Sequence, residues 1–400
     1  MQTFSGLEYL KIDIANNFGL DKLSWAGRIN WFDTNESNLD QLVNQADEPA
    51  LFYAGVKAYR DVLANKPIGY MISLDATSSG IQLLAALTCD SRAASLCNVV
   101  DTGNRENAYQ GLYNEMCRRA GATAKIDMDD VKQAVMTAFY ASKAMPKKVF
   151  GEGALLDVFY DTLSSMAPAS WELNEAMLAL WNPTTLEHSW VLPDNFHVHI
   201  KVMSPVREKV HFKSEPYDVF YQVNAPMEEG RSLGANTIHS IDGMIVRELT
   251  RRCDYNPAKI DLLYKLIDEG NFGDPANTPL MAHMTKVLWA RYQESGYLSA
   301  RILDYLTEDT LSLVNPKEIK ELLDTLPVAP FKVVSIHDCF RCLPHYGNDI
   351  RKQYNIQLQL IARSNMLQDL ISQLVGRPVP ITKMDPSLYQ SIGKTNYALS

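Results

Sequence analysis

The chain has 400 residues, of which 46% are apolar and 21% are charged, a composition typical of globular proteins that excludes a disordered or fibrous one. No apolar run approaches the ~18 residues of a membrane span, the N-terminal residues lack the pattern of a secretory signal, and six cysteines are too few for a disulfide framework. We therefore expect a cytoplasmic protein without membrane contact. The net charge of −9 argues against an isolated nucleic-acid binder, unless a local basic groove or a partner supplies positive charge.

Most of the chain has helical patterns, with a few short strands. The first informative segment is an apolar run over 68–74 that ends at Asp75 and is followed by small residues and a helical pattern over 81–87. This order predicts strand, turn and helix, with Asp75 at the end of the strand. Taken alone, Asp75 is more simply explained as a turn or capping residue than as a metal-binding carboxylate.

Residues 129–143 predict a helix with acidic side chains in its first turn. Lys132, Met136 and Tyr140 are spaced by four residues and therefore share one face, with about 12 Å between the first and the last. This distance is similar to the reach from the triphosphate of a nucleotide to its sugar and base. A surface lysine and a half-buried tyrosine remain the simpler interpretation of this helix in isolation.

Later segments predict strands, a helical region and a hairpin. Alternating apolar residues over 188–212 predict strands, and a basic stretch within 201–213 is either solvated surface or a contact for DNA phosphates. Residues 255–330 predict a separate helical insertion, to which we assign no catalytic role. A strand over 331–336 meets His337 and Asp338 and continues as a second strand, which predicts a hairpin with this pair near its tip.

Asp75 and Asp338 together outline a two-carboxylate site. Carboxylates from separate strands can hold two magnesium ions about 3.5–4 Å apart. Phosphoryl transfer requires mainly positioning and charge neutralisation from the protein. With a lysine for the phosphates and a tyrosine for the sugar, the pattern favours a nucleotidyltransferase.

Five segments, in the order expected, resemble the single-subunit DNA-directed RNA polymerases of bacteriophages and mitochondria. They are residues 10–22, residues 74–82 (LDATSSGIQ, resembling motif A), residues 132–143 (motif B), residues 236–243 (NTIHSIDG) and residues 335–340 (SIHDCF, motif C). The resemblance extends from about residue 7 to the C-terminus, with the exception of the helical insertion.

The resemblance implies roles for individual residues. Asp75 and Asp338, with the backbone of Ala76, would bind two Mg²⁺ ions, and Lys132 would hold the nucleotide phosphates. Tyr140 and His239 would read the ribose 2′-hydroxyl, which distinguishes RNA precursors from DNA precursors. Further substrate contacts are expected at Lys22, Asp21 and Tyr109.

The fold implied by the resemblance is a right-hand polymerase, α+β and predominantly helical. The expected parts are a palm with motif A (1–103), fingers with motif B (104–239), a junction (240–254), the insertion (255–330) and a second palm segment with motif C (331–400). Met128 stands where the family usually has an arginine, and Lys125 is a candidate substitute. Ala76 and Ala141 stand where glycines are common, and we expect little loss from the added methyl groups.

The chain starts shortly before the first matching block, and the resemblance is to the larger, palm-and-fingers subunit of a split bacteriophage polymerase. We therefore expect the usual thumb, N-terminal domain and template-binding motif to come from a second subunit. The expected partners are a single-stranded or pre-melted DNA template, ribonucleoside triphosphates, the RNA product and an accessory single-stranded-DNA-binding protein, in the cytoplasm of an infected bacterium. The alternatives are an A-family-like DNA polymerase fragment, which His239 disfavours, and a non-catalytic scaffold subunit, which the presence of Asp75, Asp338 and Lys132 disfavours.

Overall fold

The computed structural model describes residues 1–121, 125–230 and 232–400, and its architecture is α+β and predominantly helical, as predicted. The helices are α1 (Gly6–Ala15), α2 (Trp25–Asn35), α3 (Leu39–Leu42), α4 (Pro49–Leu63), α5 (Ser79–Thr88), α6 (Ser91–Leu96), α7 (Ala108–Ala120), α8 (Met128–Ala138), α9 (Ala144–Phe150), α10 (Ala154–Met166), α11 (Pro168–Ala179), α12 (Ser232–Cys253), α13 (Pro257–Glu269), α14 (Pro279–Ser295), α15 (Pro316–Asp324), α16 (Gly347–Arg363), α17 (Met366–Val375) and α18 (Tyr389–Ile392). The strands are β1 (Ile72–Asp75), β2 (Glu187–Val191), β3 (His197–Lys201), β4 (Met203–Phe212), β5 (Glu215–Asn224), β6 (Val334–Ile336) and β7 (Cys339–Cys342).

A three-stranded antiparallel sheet joins segments that lie far apart in the sequence. Its strand order is β1–β7–β6, and the register pairs Asp75 with Cys339 and Ile336 with Cys339. The C-terminal residues continue this arrangement past the end of β1, because the Ser400 backbone N–H donates to the Asp75 carbonyl at 2.9 Å and the Thr77 N–H donates to the Ala398 carbonyl at 3.2 Å. The sheet therefore fixes the backbone on both sides of Asp75.

The helices around this sheet form one large apolar core, and the predicted insertion has a smaller core of its own. The second core contains residues of α13, α14 and α15, such as Leu263, Leu288 and Ile319. Buried Glu248 of α12 connects the two parts, since it accepts hydrogen bonds from the Ala300 backbone N–H at 2.8 Å and from the Ser299 hydroxyl. The helical character predicted for 255–330 is confirmed, while its status as an insertion stays a prediction.

The strands predicted around 188–212 form two separate hairpins. β2 pairs with β3, and β4 pairs with β5 over ten residues on each strand. Nearly all residues of the β4–β5 hairpin are exposed, including the basic residues of the predicted stretch and aromatic Phe220, which is 72% exposed.

In the part of the chain that the structure describes, no helix has both the length and the apolar character needed to cross a membrane.

Candidate active site

Asp75 and Asp338 are brought together by the pairing of β1 with β7. Asp338 directly precedes β7, and its carbonyl accepts a hydrogen bond from the Ala76 backbone N–H at 3.1 Å. Asp338 follows His337, whose positive φ of 54° forms the tight turn between β6 and β7. The predicted hairpin with this pair at its tip is therefore confirmed.

The charge of Asp338 acts on the Asp75 carboxylate. Although Asp75 remains accessible to solvent, partial desolvation, followed by the negative charges of Asp338 and Asp21, raises its pKa to about 6. A cation placed between these carboxylates would relieve this repulsion. Oxygen ligands from one or two carboxylates, completed by water and substrate phosphates, are typical of Mg²⁺ sites, so Asp75 and Asp338 fit this ion. Among the described residues, no three or more His, Cys, Asp or Glu side chains are arranged to hold a metal by themselves.

Gln82 fixes the turn that follows Asp75. Its side chain is fully buried, and its Nε2 donates to the carbonyls of Ala398 (2.9 Å) and Cys97 (3.0 Å), while its Oε1 accepts from the Tyr354 hydroxyl at 2.8 Å. Because these partners come from distant parts of the sequence, Gln82 anchors the start of α5 to the rest of the core.

A pocket of about 150 Å³ lies beside the two carboxylates. Its lining combines the 76–81 turn with side chains of α7 and α8 and with Asp338; the side-chain contributors include Tyr109, Val135, Met136, Phe139 and Tyr140. A larger cavity of about 510 Å³ lies between α11 and α17, but its lining is mostly apolar and includes none of the predicted site residues. The smaller pocket is therefore the candidate substrate site.

Tyr140 is the central side chain of this pocket. Its hydroxyl packs so closely against α5 that a Cβ added at Gly80 would lie 2.6 Å from it, and its ring lies 4.9 Å from the ring of His239. Burial, followed by the charges of Asp242 and Asp338, raises the pKa of Tyr140 to about 12. Tyr109 lies nearby, with its hydroxyl 3.5 Å from Ser78 Oγ.

The helix predicted over 129–143 ends earlier than expected, and this prediction is wrong for its last five residues. α8 ends at Ala138, where Ala141 adopts a left-handed φ of 63° and the N–H groups of Ala141 and Ser142 bond the carbonyls of Ala138 and Thr137. This is the Schellman pattern, which usually has a glycine at the left-handed position. The strain of alanine there is about 1–2 kcal/mol, partly offset by about 0.8 kcal/mol from its buried methyl group.

As a result, Tyr140 lies beyond the helix, while Met136 and Tyr140 still share the pocket. Lys132 lies on the exposed face of α8 and does not line the pocket. Lys22 is exposed and Asp21 half-exposed in the turn that follows α1. Met128 is the first residue of α8, and Lys125 is exposed before it.

Two charged residues near the site were not singled out from the sequence. Asp242 lies one turn after His239 on α12, and burial, followed by the charge of Asp338, raises its pKa to about 6. Arg105 lies in the loop before α7, and its charge opposes the rise in the pKa of Asp75. Asp242 falls within the 236–243 block, so that resemblance was an available signal, whereas the loop around Arg105 has no pattern that would indicate a site.

Comparison with known proteins agrees with this geometry. Residues 2–150 match the family model described as DNA-dependent RNA polymerase. A probable DNA-directed RNA polymerase of Neurospora crassa is 34% identical over 122 residues, covering 28% of this chain and 13% of that protein. The DNA-directed RNA polymerase of Pseudomonas phage phiKMV is 29% identical over 134 residues, covering 28% and 16%. DNA-directed RNA polymerase 2, chloroplastic/mitochondrial, of Arabidopsis thaliana is 27% identical over 174 residues, covering 34% and 17%.

Residues 2–150 thus resemble the DNA-dependent RNA polymerase family, and the similar proteins named above include phage and chloroplast/mitochondrial enzymes. The family match contains Asp75, Lys132 and Tyr140, while His239 and Asp338 lie outside it. The matched stretches span only 13–17% of the length of the three relatives named above.

Proposed function

We propose that this chain catalyses the DNA-directed addition of ribonucleotides to an RNA 3′-end, as the catalytic subunit of an RNA polymerase. The observation that carries the proposal is the pairing of β1 with β7, which sets Asp75 beside Asp338 next to the pocket that contains Tyr140. The match of residues 2–150 to the RNA polymerase family model supports the same reaction.

Asp75 and Asp338 are the proposed ligands of two Mg²⁺ ions, with the backbone of Ala76 as a further oxygen donor. Bound magnesium would lower the pKa of the attacking hydroxyl and neutralise charge on the departing pyrophosphate. The contribution of the chain is to hold two mutually repelling carboxylates at fixed positions, through the strand pairing and the backbone hydrogen bond between Ala76 and Asp338.

The cationic side chains are proposed to hold the phosphates. Lys132 lies one turn before Met136, which lines the pocket, so its flexible side chain has access to the pocket rim from the exposed face of α8. Lys22 has the same role in the proposal, from the turn after α1, and Asp21 is proposed to lie near the triphosphate.

Tyr140 and His239 are the proposed readers of the sugar. The Tyr140 hydroxyl is protonated at neutral pH, as for any tyrosine whose pKa is not lowered, so it can donate a hydrogen bond. The contact between its ring and His239 places a second polar group beside it. This pairing favours ribonucleotides and therefore an RNA polymerase over the alternative of an A-family-like DNA polymerase. Tyr109 is proposed to line the same nucleotide site.

The division into palm and fingers at the predicted boundaries is part of the proposal, with the β1–β7–β6 sheet in the palm and α8 in the fingers. The DNA template, ribonucleoside triphosphates and RNA product follow from the proposed reaction. The second subunit, the accessory single-stranded-DNA-binding protein and the cytoplasm of an infected bacterium stay predictions from the sequence.

The test is extension of an RNA primer on a single-stranded DNA template by the purified chain together with its co-purifying partners. We expect magnesium-dependent extension that Asp338→Asn abolishes and Asp268→Asn, an exposed carboxylate of the helical insertion, leaves intact. Tyr140→Phe should increase the use of deoxynucleotides relative to ribonucleotides. Activity that survives Asp338→Asn would contradict the proposal, and a lack of extension in the presence of a stoichiometric partner would support the scaffold alternative.

A further inference from the structure

A pair of arginines, Arg28 and Arg105, lies beside the candidate active site. The Arg105 Nε donates to the Ser400 hydroxyl at 3.3 Å, and the Ser400 backbone N–H donates to the Asp75 carbonyl at 2.9 Å. One neighbouring residue therefore separates the Arg105 guanidinium from Asp75. The Arg105 side chain is 9% exposed, so it is held close to the protein and does not extend freely into solvent.

The hydrogen-bonding capacity of this arginine pair is largely unused. Arg105 approaches Asp21 only to 4.0 Å, the outer limit of an ion pair, and the Ser400 hydroxyl is its one hydrogen-bond acceptor among the described residues. Arg28 is fully buried and donates to the backbone carbonyls of Leu23 and Asp21, but its Nη1 has no acceptor within the described part of the chain.

The charges of the two arginines also act on each other. Burial, followed by the positive charge of Arg105, lowers the pKa of Arg28 to about 9. Asp21 is the single carboxylate in ion-pair contact with either arginine in the described ranges. Asp75 also acts on the charge of Arg105, but it is not in ion-pair contact with it in the described ranges.

Buried guanidinium groups with unmet hydrogen bonds are costly, and an anion with several oxygen acceptors removes that cost. Phosphate groups match the planar guanidinium in a bidentate manner, and they do so better with arginine than with lysine. A carboxylate ligand would also match the planar guanidinium group. However, Asp75 and Asp338 lie next to it and are proposed to bind a nucleotide, so the phosphates of that nucleotide are the anions expected at this position.

We propose that Arg105, supported by Arg28, binds the triphosphate of the incoming nucleotide and the pyrophosphate released from it. This inference rests on the proposed function, because it takes the nucleotide as the substrate at Asp75. Phosphates of the template or primer backbone have the same chemistry, and the experiment separates them from the triphosphate.

The test measures the affinity of the full chain, with its co-purifying partners, for inorganic tripolyphosphate in the presence of Mg²⁺ by calorimetry. We expect Arg105→Gln to weaken this affinity by about 10- to 100-fold, the contribution of charge-assisted hydrogen bonds, and Arg105→Lys to give an intermediate loss. Ser400→Ala removes the hydrogen bond from Arg105 and keeps the cation, so it should retain the affinity. Arg118→Gln, at an exposed arginine paired with Glu115, is the matched control and should behave as the wild type.

Three results would overturn the inference. The first is wild-type affinity for tripolyphosphate in Arg105→Gln. The second is an equal loss of affinity in Ser400→Ala, which would mean that Arg105 only holds residues 398–400 in place. The third is a loss of affinity of Arg105→Gln for an RNA–DNA primer–template that exceeds its loss for tripolyphosphate. Circular dichroism and the melting temperature of each variant show whether it is folded, and Arg105→Lys keeps the test decisive if Arg105→Gln is not. Failure of the proposed function is seen separately, as a lack of primer extension that Asp338→Asn can abolish, and it does not depend on tripolyphosphate binding.

Discussion

The close contact between Gly80 and Tyr140 gives a prediction whose sign depends on the side chain at position 140. In Gly80→Ala the new Cβ would lie 2.6 Å from the Tyr140 hydroxyl and 2.9 Å from its Cζ. The hydroxyl would have to retreat by about 0.8 Å to reach the 3.4 Å at which ordinary contact begins. Overpacking of this kind costs about 1–3 kcal/mol, whereas alanine gains up to about 1 kcal/mol over glycine in a helix. We expect a net loss of about 1 kcal/mol.

In the background of Tyr140→Ala the obstructing ring is absent, so Gly80→Ala should stabilise the protein by up to about 1 kcal/mol. The double-mutant cycle therefore has an expected coupling energy of about 1–3 kcal/mol. The assay is urea unfolding of the four proteins, comparing transition midpoints at unchanged slope. Gly69→Ala is the control, because a Cβ there meets no atom within 4 Å. Additivity within about 0.5 kcal/mol would refute the packing of Tyr140 against α5.

Three further predictions concern buried polar groups. Burial raises the pKa of Asp13 from 3.8 to about 6. Its protonated form therefore stabilises the fold below pH 4, and this contribution of about 3 kcal/mol to the free energy of unfolding is lost as the pH rises through 6. The free energy of unfolding of Asp13→Asn should lack this part of the pH dependence, and parallel pH profiles for the two proteins would contradict the prediction. Gln82→Leu should lower the free energy of unfolding by about 1–3 kcal/mol, because it leaves the buried Tyr354 hydroxyl without its acceptor and removes one of the two donors of the Ala398 carbonyl. Urea unfolding measures this, and a neutral result would argue against the anchoring role of Gln82. Asp194→Ala should lower the free energy of unfolding by about 3–5 kcal/mol, because buried Asp194 accepts hydrogen bonds from Arg247 and Arg251. The melting temperature measures this loss, with Asp268→Asn as the exposed control. Equal melting temperatures for the two variants would contradict the prediction.

Local features of the fold could be predicted from the sequence. The strand before Asp75, the turn of small residues and the hairpin around His337 each depend on neighbouring residues, and all three are present. The proximity of Asp75 and Asp338 is different, because apolar strands pair with many partners equally well. The chemistry of the residues suggested a two-carboxylate site as a hypothesis, and the resemblance to a polymerase family was the signal that favoured the meeting of these two strands.

Other features depend on contacts that no sequence pattern encodes. α8 ends at Ala138 because Ala141 adopts a left-handed conformation, a role for which glycine and not alanine is the usual signal. The position of Arg105 follows from the docking of an irregular loop against Ser400 and Asp21, which come from opposite ends of the chain. Such long-range contacts are determined by the whole fold and not by the residues around Arg105.

The backbone hydrogen bonds of Asp75 and Thr77 with residues 398–400 have a consequence for the biosynthesis of the protein. During translation, β1 leaves the ribosome long before β7 and the last residues of the chain exist. The carboxylate pair therefore assembles only after β7 has been released, and a nascent chain that lacks β7 has no complete site. Because these contacts join distant parts of the sequence, their formation is a slow step in folding, and in the meantime the exposed edge of β1 is a site at which a chaperone can bind.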